Sequence, residues 1–327
     1  MKTLIVLCAG GRKIDNKPLY LCKHPSGKIV FNVVIEGIFP EKYDRIIYSI
    51  LKDDVVRFKA DKVIVENCLQ QKAEVFVLEK KTDGPAETLS ETIRGMKVEG
   101  EVAIRDSLGK MCLDNPAEGN FIAGLDLLSF TDSVQRLKEK GFILVNEQNK
   151  ILDFFEKKLA SNVISTGFYG FSSAHDYEKF YNDIVNSDYG IVRMSVGQVI
   201  SYMIGYGERN FWCYKSKVFE DWGDEQAWYS VQKKYATILV DLDKTCIDYS
   251  INGFNKEFIE KLQYASKKGM KFCFYYSNEN FRNSTELSDA LADKGINCLN
   301  VFCRKSFSQE IYIVNGNEDI NKICIGL

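Results

Sequence analysis

The first residues able to do chemistry follow a short apolar run: Leu7-Cys8-Ala9-Gly10-Gly11-Arg12, then Lys17-Pro18-Leu19. Small residues after a strand let backbone N–H groups approach a phosphate, and an arginine and a lysine can then neutralise it. The run is not a Walker loop, because Ser26-Gly27-Lys28 lacks the upstream glycine and the following Ser/Thr. Ten cysteines are scattered singly, and two histidines are too few to complete a zinc set. They read as reduced thiols buried like small hydrophobes. A metal, where one is used, is therefore expected to be magnesium on oxygen ligands.

The elements that must position such residues can be read from periodicity. Strand-like runs at Leu4–Cys8, Arg45–Ile50, Glu74–Leu78, Val102–Ile104, Phe142–Val145, Ile151–Phe155 and Phe168–Phe171 alternate with helical spacing at Val55–Glu66, Pro85–Met96, Ser133–Lys140, Tyr177–Val185 and Val196–Ile204. This predicts an α/β unit with a mixed, mainly parallel sheet covered by helices. At Gln232-Lys233-Lys234-Tyr235 the chain turns polar, and Ala236–Val240 starts a second βα series. Helix Lys256–Lys267, strand Met270–Tyr275, helix Ser284–Lys294, and strands Cys298–Phe302 and Glu310–Val314 follow. We therefore expect two domains, residues 1–234 and 235–327.

With 327 residues, 45% apolar and 27% charged, the chain is neither disordered nor of low complexity. A net charge of -2 with no long block of one sign excludes a nucleic-acid binder or an anionic-membrane binder. The apolar run Leu4–Ala9 is too short for a signal-peptide core or a membrane span, so a cytoplasmic protein is expected.

Ala9-Gly10-Gly11-Arg12 followed by Lys17-Pro18-Leu19 resembles a shortened form of the signature of the sugar-phosphate nucleotidyltransferases, the nucleotide-sugar pyrophosphorylases of GT-A/Rossmann-like fold. Four more segments are similar to that family, in order, over roughly residues 1–232. They are Gly84-Pro85-Ala86-Glu87-Thr88; Ile104-Arg105-Asp106; Phe155-Glu156-Lys157 with Ser161-Asn162 and Thr166–Phe171; and Phe219-Glu220-Asp221-Trp222-Gly223-Asp224. The resemblance implies that backbone amides at Ala9, Gly10 and Gly11 cradle a triphosphate, Arg12 holds its β/γ end, and Lys17 lies by the α-phosphate. It further implies that Gly84 lets the base lie against the backbone with Glu87 nearby, and that Asp106 and Asp221 hold Mg2+ from two distant strands. Lys157 would grip the sugar's phosphate, Glu156 would face its hydroxyls, and Gly167 would line the sugar pocket. Two positions depart from the family pattern: Leu108 stands where many relatives have a second acid, and Asp224 replaces a threonine.

In the second region, Asp241-Leu242-Asp243-Lys244-Thr245 after an apolar strand resembles motif I of the haloacid-dehalogenase (HAD) phosphotransferases. That resemblance implies Asp241 as nucleophile and Asp243 as acid and base, Ser277 as a phosphate ligand in motif II, and Lys305 as the motif III lysine. The pair of acids expected next is missing from Tyr312-Ile313-Val314-Asn315-Gly316-Asn317, and no segment is long enough for a cap. A capless, degenerate domain kept for assembly, stability or regulation is the expectation, with an active phosphatase as the alternative.

These resemblances lead to an enzyme that joins a nucleoside triphosphate to a sugar or polyol phosphate and releases pyrophosphate, in capsule or surface-polysaccharide synthesis. The short loop from Arg12 to Lys17 and the Gly84–Thr88 turn look most like cytidylyltransferases, which favours CTP. Two other readings stay open: a phosphatase in the same pathway, and a nucleotide-binding scaffold without turnover. A second copy of this chain is the one macromolecular partner allowed for.

Overall fold

The structure, a computed structural model, describes residues 1–10, 12–14, 16–70, 73–130, 134–187, 193–207, 209–235, 237–242, 246–248, 253–267, 270–276, 284–303 and 313–314. The chain divides into two compact units, Met1–Ala227 and Trp228–Leu327.

Unit one opens with β1 (Lys2–Leu7), the short hairpin β2 (Lys13–Ile14) and β3 (Lys17–Pro18), and α1 (Val30–Ile35). Next come β4 (Arg45–Leu51), α2 (Lys52–Phe58), α3 (Ala60–Asn67), β5 (Ala73–Leu78) and α4 (Pro85–Gly95). The middle of the unit holds β6 (Glu101–Asp106), β7 (Gly109–Cys112), β8 (Phe121–Asp126), α5 (Val134–Leu137), β9 (Phe142–Val145) and β10 (Lys150–Phe155). It ends with β11 (Val163–Phe171), α6 (Ala174–Val185), α7 (Val196–Gly205), β12 (Phe211–Lys215), β13 (Val218–Asp221) and the start of α8 (Glu225–Tyr235).

Nine of these strands form one sheet in the order β5-β4-β1-β6-β11-β8-β12-β10-β9. The sheet is mixed, but it is not mainly parallel throughout. Strands β5, β4, β1 and β6 run parallel, whereas β11 is antiparallel to β6, β8 and β9. Strand β10 is antiparallel to its chain neighbour β9, and a tight turn can join such a pair as it cannot join a parallel one. Between β9 and β10, for example, Asn146 Oδ1 accepts from the Gln148 and Lys150 amides and Asn149 takes a left-handed φ of 61°. Helices α4, α6 and α7 pack together over a core that includes Ile5, Leu89, Ile104, Phe171 and Val199. The single helix expected over Val55–Glu66 is broken in two at Lys59, whose φ of 53° is left-handed.

Three pairings position the site. Leu7 is in register with Asp106, so the carboxyl ends of β1 and β6 lie side by side. Gly109 of β7 pairs with Asp221 of β13 in a separate two-stranded ribbon, which brings residues remote in sequence together. The β11 register slips between Ser165 and Tyr169, and within that irregularity Gly167 adopts φ 75°.

Unit two contains the end of α8, then β14 (Thr237–Asp241), β15 (Ile247–Asp248), β16 (Gly253–Phe254), α9 (Lys256–Lys267), β17 (Lys271–Tyr276), α10 (Ser284–Asp293), β18 (Cys298–Cys303) and β19 (Ile313–Val314). Its main sheet is parallel in the order β18-β17-β14-β19, around a core that includes Val240, Leu262, Phe272 and Leu291. Among the described residues, no helix is long and apolar enough to cross a membrane.

Candidate active site

Two adjoining cavities open at the carboxyl ends of β1 and β6, and both are lined by Leu7, Pro85, Asp106 and Leu108. The smaller, about 620 Å³, is bordered by Gly10, Lys81, Thr82, Gly84 and Arg193. The larger, about 670 Å³, is bordered by Arg12, Arg136, Lys140, Glu156, Lys157 and Asp221. Both volumes suit small-molecule ligands.

Asp106 stands on their common wall. Its Oδ1 accepts from the Leu108 amide at 3.1 Å and from Arg105 Nη1 at 3.3 Å. Arg105 itself is wholly buried and donates to the carbonyls of Val34, Thr166 and Gly109, tying α1, β11 and β7 to β6. Burial pushes the Asp106 carboxyl above the ordinary carboxylate range, while Arg105, the Leu108 amide and Lys140 oppose the rise and Asp221 adds to it. Gly167 makes room for this carboxylate: a Cβ built there would overlap Asp106 Oδ2.

Asp221 is 1% exposed and held by two cations. Its Oδ2 accepts from Arg136 Nε at 2.8 Å and Nη2 at 2.6 Å, and its Oδ1 faces Lys140 Nζ at 2.9 Å and the Gly223 amide at 3.0 Å. Arg136 Nη1 also reaches Asp224 Oδ2 at 2.7 Å. Burial alone would raise the Asp221 pKa, but Lys140 and Arg136 together outweigh it and hold the carboxyl below its usual range.

The rim of the smaller cavity depends on close backbone packing. A Cβ at Gly84 would meet the Met194 carbonyl oxygen at 2.6 Å, and the Ala86 amide donates to that same oxygen. Gly84 thus lets the 193–194 backbone lie against the start of α4, with Arg193 at φ 61° on the cavity edge.

No protein-family model matches the sequence, and no curated protein matches it. Solved structures do. A nucleoside-diphosphate-sugar pyrophosphorylase from Vibrio cholerae superposes with a TM-score of 0.57 at 13% identity, covering 70% of this chain and 99% of its own. A UDP-glucose pyrophosphorylase complexed with UDP-glucose gives 0.55 at 12% identity, over 72% of this chain and 98% of its own. The inositol-1-phosphate CTP transferase of T. maritima gives 0.52 at 12% identity, over 72% and 96%. Over about 70% of its length the chain has the fold of these nucleotidyltransferases.

On that fold, Gly10 and Gly84 line the smaller cavity, and Arg12, Glu156, Lys157, Gly167 and Asp221 line the larger, with Asp106 on both. Ala9 is buried behind them. Lys17 is an exposed residue of the β2–β3 hairpin opposite Ile14, and Glu87 accepts from the Asp83 amide at the start of α4; neither is among the described residues lining these two cavities. Lys157 takes a left-handed φ of 52°, and its Nζ lies 2.8 Å from Glu139 Oε2. Gly11, Asp243, Ser277 and Lys305 lie outside the described residues. Asp241 ends β14, is buried, and accepts from the Tyr275 hydroxyl at 2.7 Å. Four cavity cations went unread in the sequence: Lys81, Arg136, Lys140 and Arg193. Apart from an arginine at 136 and a lysine at 140 sharing a predicted helix, nothing in the local pattern sets them apart from solvated charge.

The sequence resemblance implies magnesium, and the donor set fits it only in part. Asp106 presents a carboxylate to both cavities, as a hard cation that takes its other ligands from phosphate and water requires. Asp221 does not fit, because fixed N–H donors already engage both of its oxygens. Among the described residues, no group of three or more His, Cys, Asp or Glu gathers as a metal cage.

Proposed function

We propose that unit one is a nucleotidyltransferase that joins a nucleoside triphosphate, CTP by preference, to a sugar or polyol phosphate. An oxygen of the acceptor's phosphate forms a bond to the α-phosphorus, the bond from that phosphorus to the bridging oxygen breaks, and pyrophosphate leaves with the electron pair. The acceptor is already ionised near neutral pH, so no general base is needed. The chain's task is to bring two polyanions together and offset their repulsion.

The observation that carries this reading is the shared wall: two ligand-sized cavities meet at Asp106, each edged by its own cations. The nucleotide is assigned to the smaller, where Gly10 brings backbone close and Gly84 borders the base, with Lys81 and Arg193 at the rim. The acceptor is assigned to the larger, where Lys157 serves its phosphate, Glu156 its hydroxyls, and Arg12 the junction. Magnesium bound at Asp106 would neutralise charge on the leaving group. CTP is favoured by the short Arg12–Lys17 loop and the Gly84–Thr88 turn, and the product suits capsule or surface-polysaccharide synthesis. Pyrophosphate release, measured with CTP, UTP, GTP and dTTP against a panel of sugar and polyol phosphates, tests the reading. Release should be fastest with CTP, and no release with any pair would overturn it.

We read unit two as HAD-like. Its support is the parallel order around β14 and the buried Asp241 at that strand's carboxyl end, with Tyr275 donating to it.

A further inference from the structure

We propose that Arg136 and Lys140 bind the acceptor's phosphate, and that Asp221 holds this cation pair in place instead of ligating the metal; the proposal rests on the nucleotidyltransferase reading above. Hydrogen-bond capacity is the first argument. A carboxylate offers about four lone-pair sites, and Asp221 meets four donors: Nε and Nη2 of Arg136, Nζ of Lys140 and the Gly223 amide. A metal at Asp221 would have to displace at least one of these fixed donors from a side chain that is 1% exposed.

The second argument is that the pair is built into the cavity. The Arg136 and Lys140 side chains are only 13% and 12% exposed, and both line the 670 Å³ cavity. Cations so withdrawn from water need compensation, which Asp221 and Asp224 supply. Other contacts fix where they sit. Gly223 leaves space that the Arg136 guanidinium fills, since a Cβ at 223 would overlap Arg136 Nη2. Lys140 Nζ lies 4.9 Å from the centre of the Phe219 ring. These two acids and two bases sum to no net charge, so within this cluster a phosphate meets oriented N–H donors. Lys140 has three N–H donors and gives one to Asp221.

The third argument is location. The pair borders the same cavity as Lys157 and Gly167, and not the one edged by Gly10, Gly84 and Arg193. That places it with the acceptor. It also accounts for Leu108, an apolar residue where a second metal-side acid would stand: with Asp221 engaged by cations, the metal is left to Asp106 and the nucleotide's phosphates.

Two binding titrations of the full chain test this without turnover. In calorimetry with inorganic phosphate, Arg136→Gln and Lys140→Met should each weaken binding about tenfold or more, the size expected for losing a charge-assisted hydrogen bond. Arg136→Lys should recover part of the loss. Asp221→Asn should weaken phosphate binding but leave Mn2+ affinity in the presence of CTP, read by electron paramagnetic resonance, within about twofold. The proposal is overturned by a wild-type protein that binds no phosphate, by unchanged phosphate affinity in both cation variants, or by an Asp221→Asn protein whose Mn2+ affinity falls about tenfold. Absence of pyrophosphate release from the wild type would instead strike the nucleotidyltransferase reading, while the phosphate titration would still decide the anion site.

Discussion

Arg105 carries a full charge with no exposure, behind Asp106, the one carboxylate among the described residues that lines both cavities. Three backbone carbonyls accept its N–H groups, so Arg105→Met would orphan them and leave Asp106 with the Leu108 amide but without its arginine. We expect a loss of about 1–3 kcal/mol or more in urea unfolding, the cost of leaving buried carbonyls unpaired. Gly167 predicts a different balance. Its left-handed backbone makes Gly167→Ala cost about 1–2 kcal/mol, and the added methyl displaces Asp106, so pyrophosphate release should fall far more than stability does. Much of this was legible: Gly10, Arg12, Gly84, Asp106, Glu156, Lys157, Gly167 and Asp221 all border the cavities. Arg105 was not, because a charge in a strand reads as pointing to solvent. Arg136 and Lys140 escaped notice for the same reason, within a run rich in charges. Lys17 and Glu87 show the converse, since family spacing assigns them to the site but their positions in the hairpin and the α4 cap line neither cavity.

The helices and strands that carry these residues are anchored by local chemistry. At the start of α7, Ser195 Oγ accepts from the Gln198 amide and Gln198 Oε1 accepts from the Ser195 amide, a reciprocal cap beside the larger cavity. Ser195→Ala should cost about 1 kcal/mol in thermal or denaturant unfolding. Between β4 and β5, Arg45 grips Glu74 through two hydrogen bonds of 2.7 and 2.8 Å, and this holds the Glu74 carboxyl below its ordinary range. A carboxyl depressed in the folded state adds stability above its unfolded pKa and loses it as pH falls through the folded value. The side chain is 39% exposed, so solvent limits the effect to about 1 kcal/mol or less. Glu74→Gln should therefore lower stability slightly at neutral pH and flatten its decline below the ordinary carboxylate range. Longer runs such as β1 and β4 stand out by their apolar content. Strands β7 and β13 do not, being four residues each and mixed in composition, and the break at Lys59 depends on a backbone angle that no periodicity encodes.

For the molecule as a whole, the two compact units predict separable chemistry. Asp241→Asn in the full chain should abolish any phosphate release from sugar phosphates and leave pyrophosphate release within about twofold, as expected for sites without shared partners. A parallel fall in both activities would contradict the division. The α/β class and the presence of two βα series could be read from the alternation of elements. Strand direction could not, because an apolar run looks the same whether its neighbour runs with it or against it. The β7–β13 ribbon has one more consequence, for the order in which the protein folds. It joins segments more than a hundred residues apart, and the Trp222 amide seals it on the Leu108 carbonyl. Closing a loop of that length is slow compared with forming a hairpin. On the ribosome, the parallel strands around β1 can pair well before β13 is made, so the wall of the larger cavity that Asp221 supplies is among the last parts of unit one to assemble, and a chain ending before residue 218 would lack it.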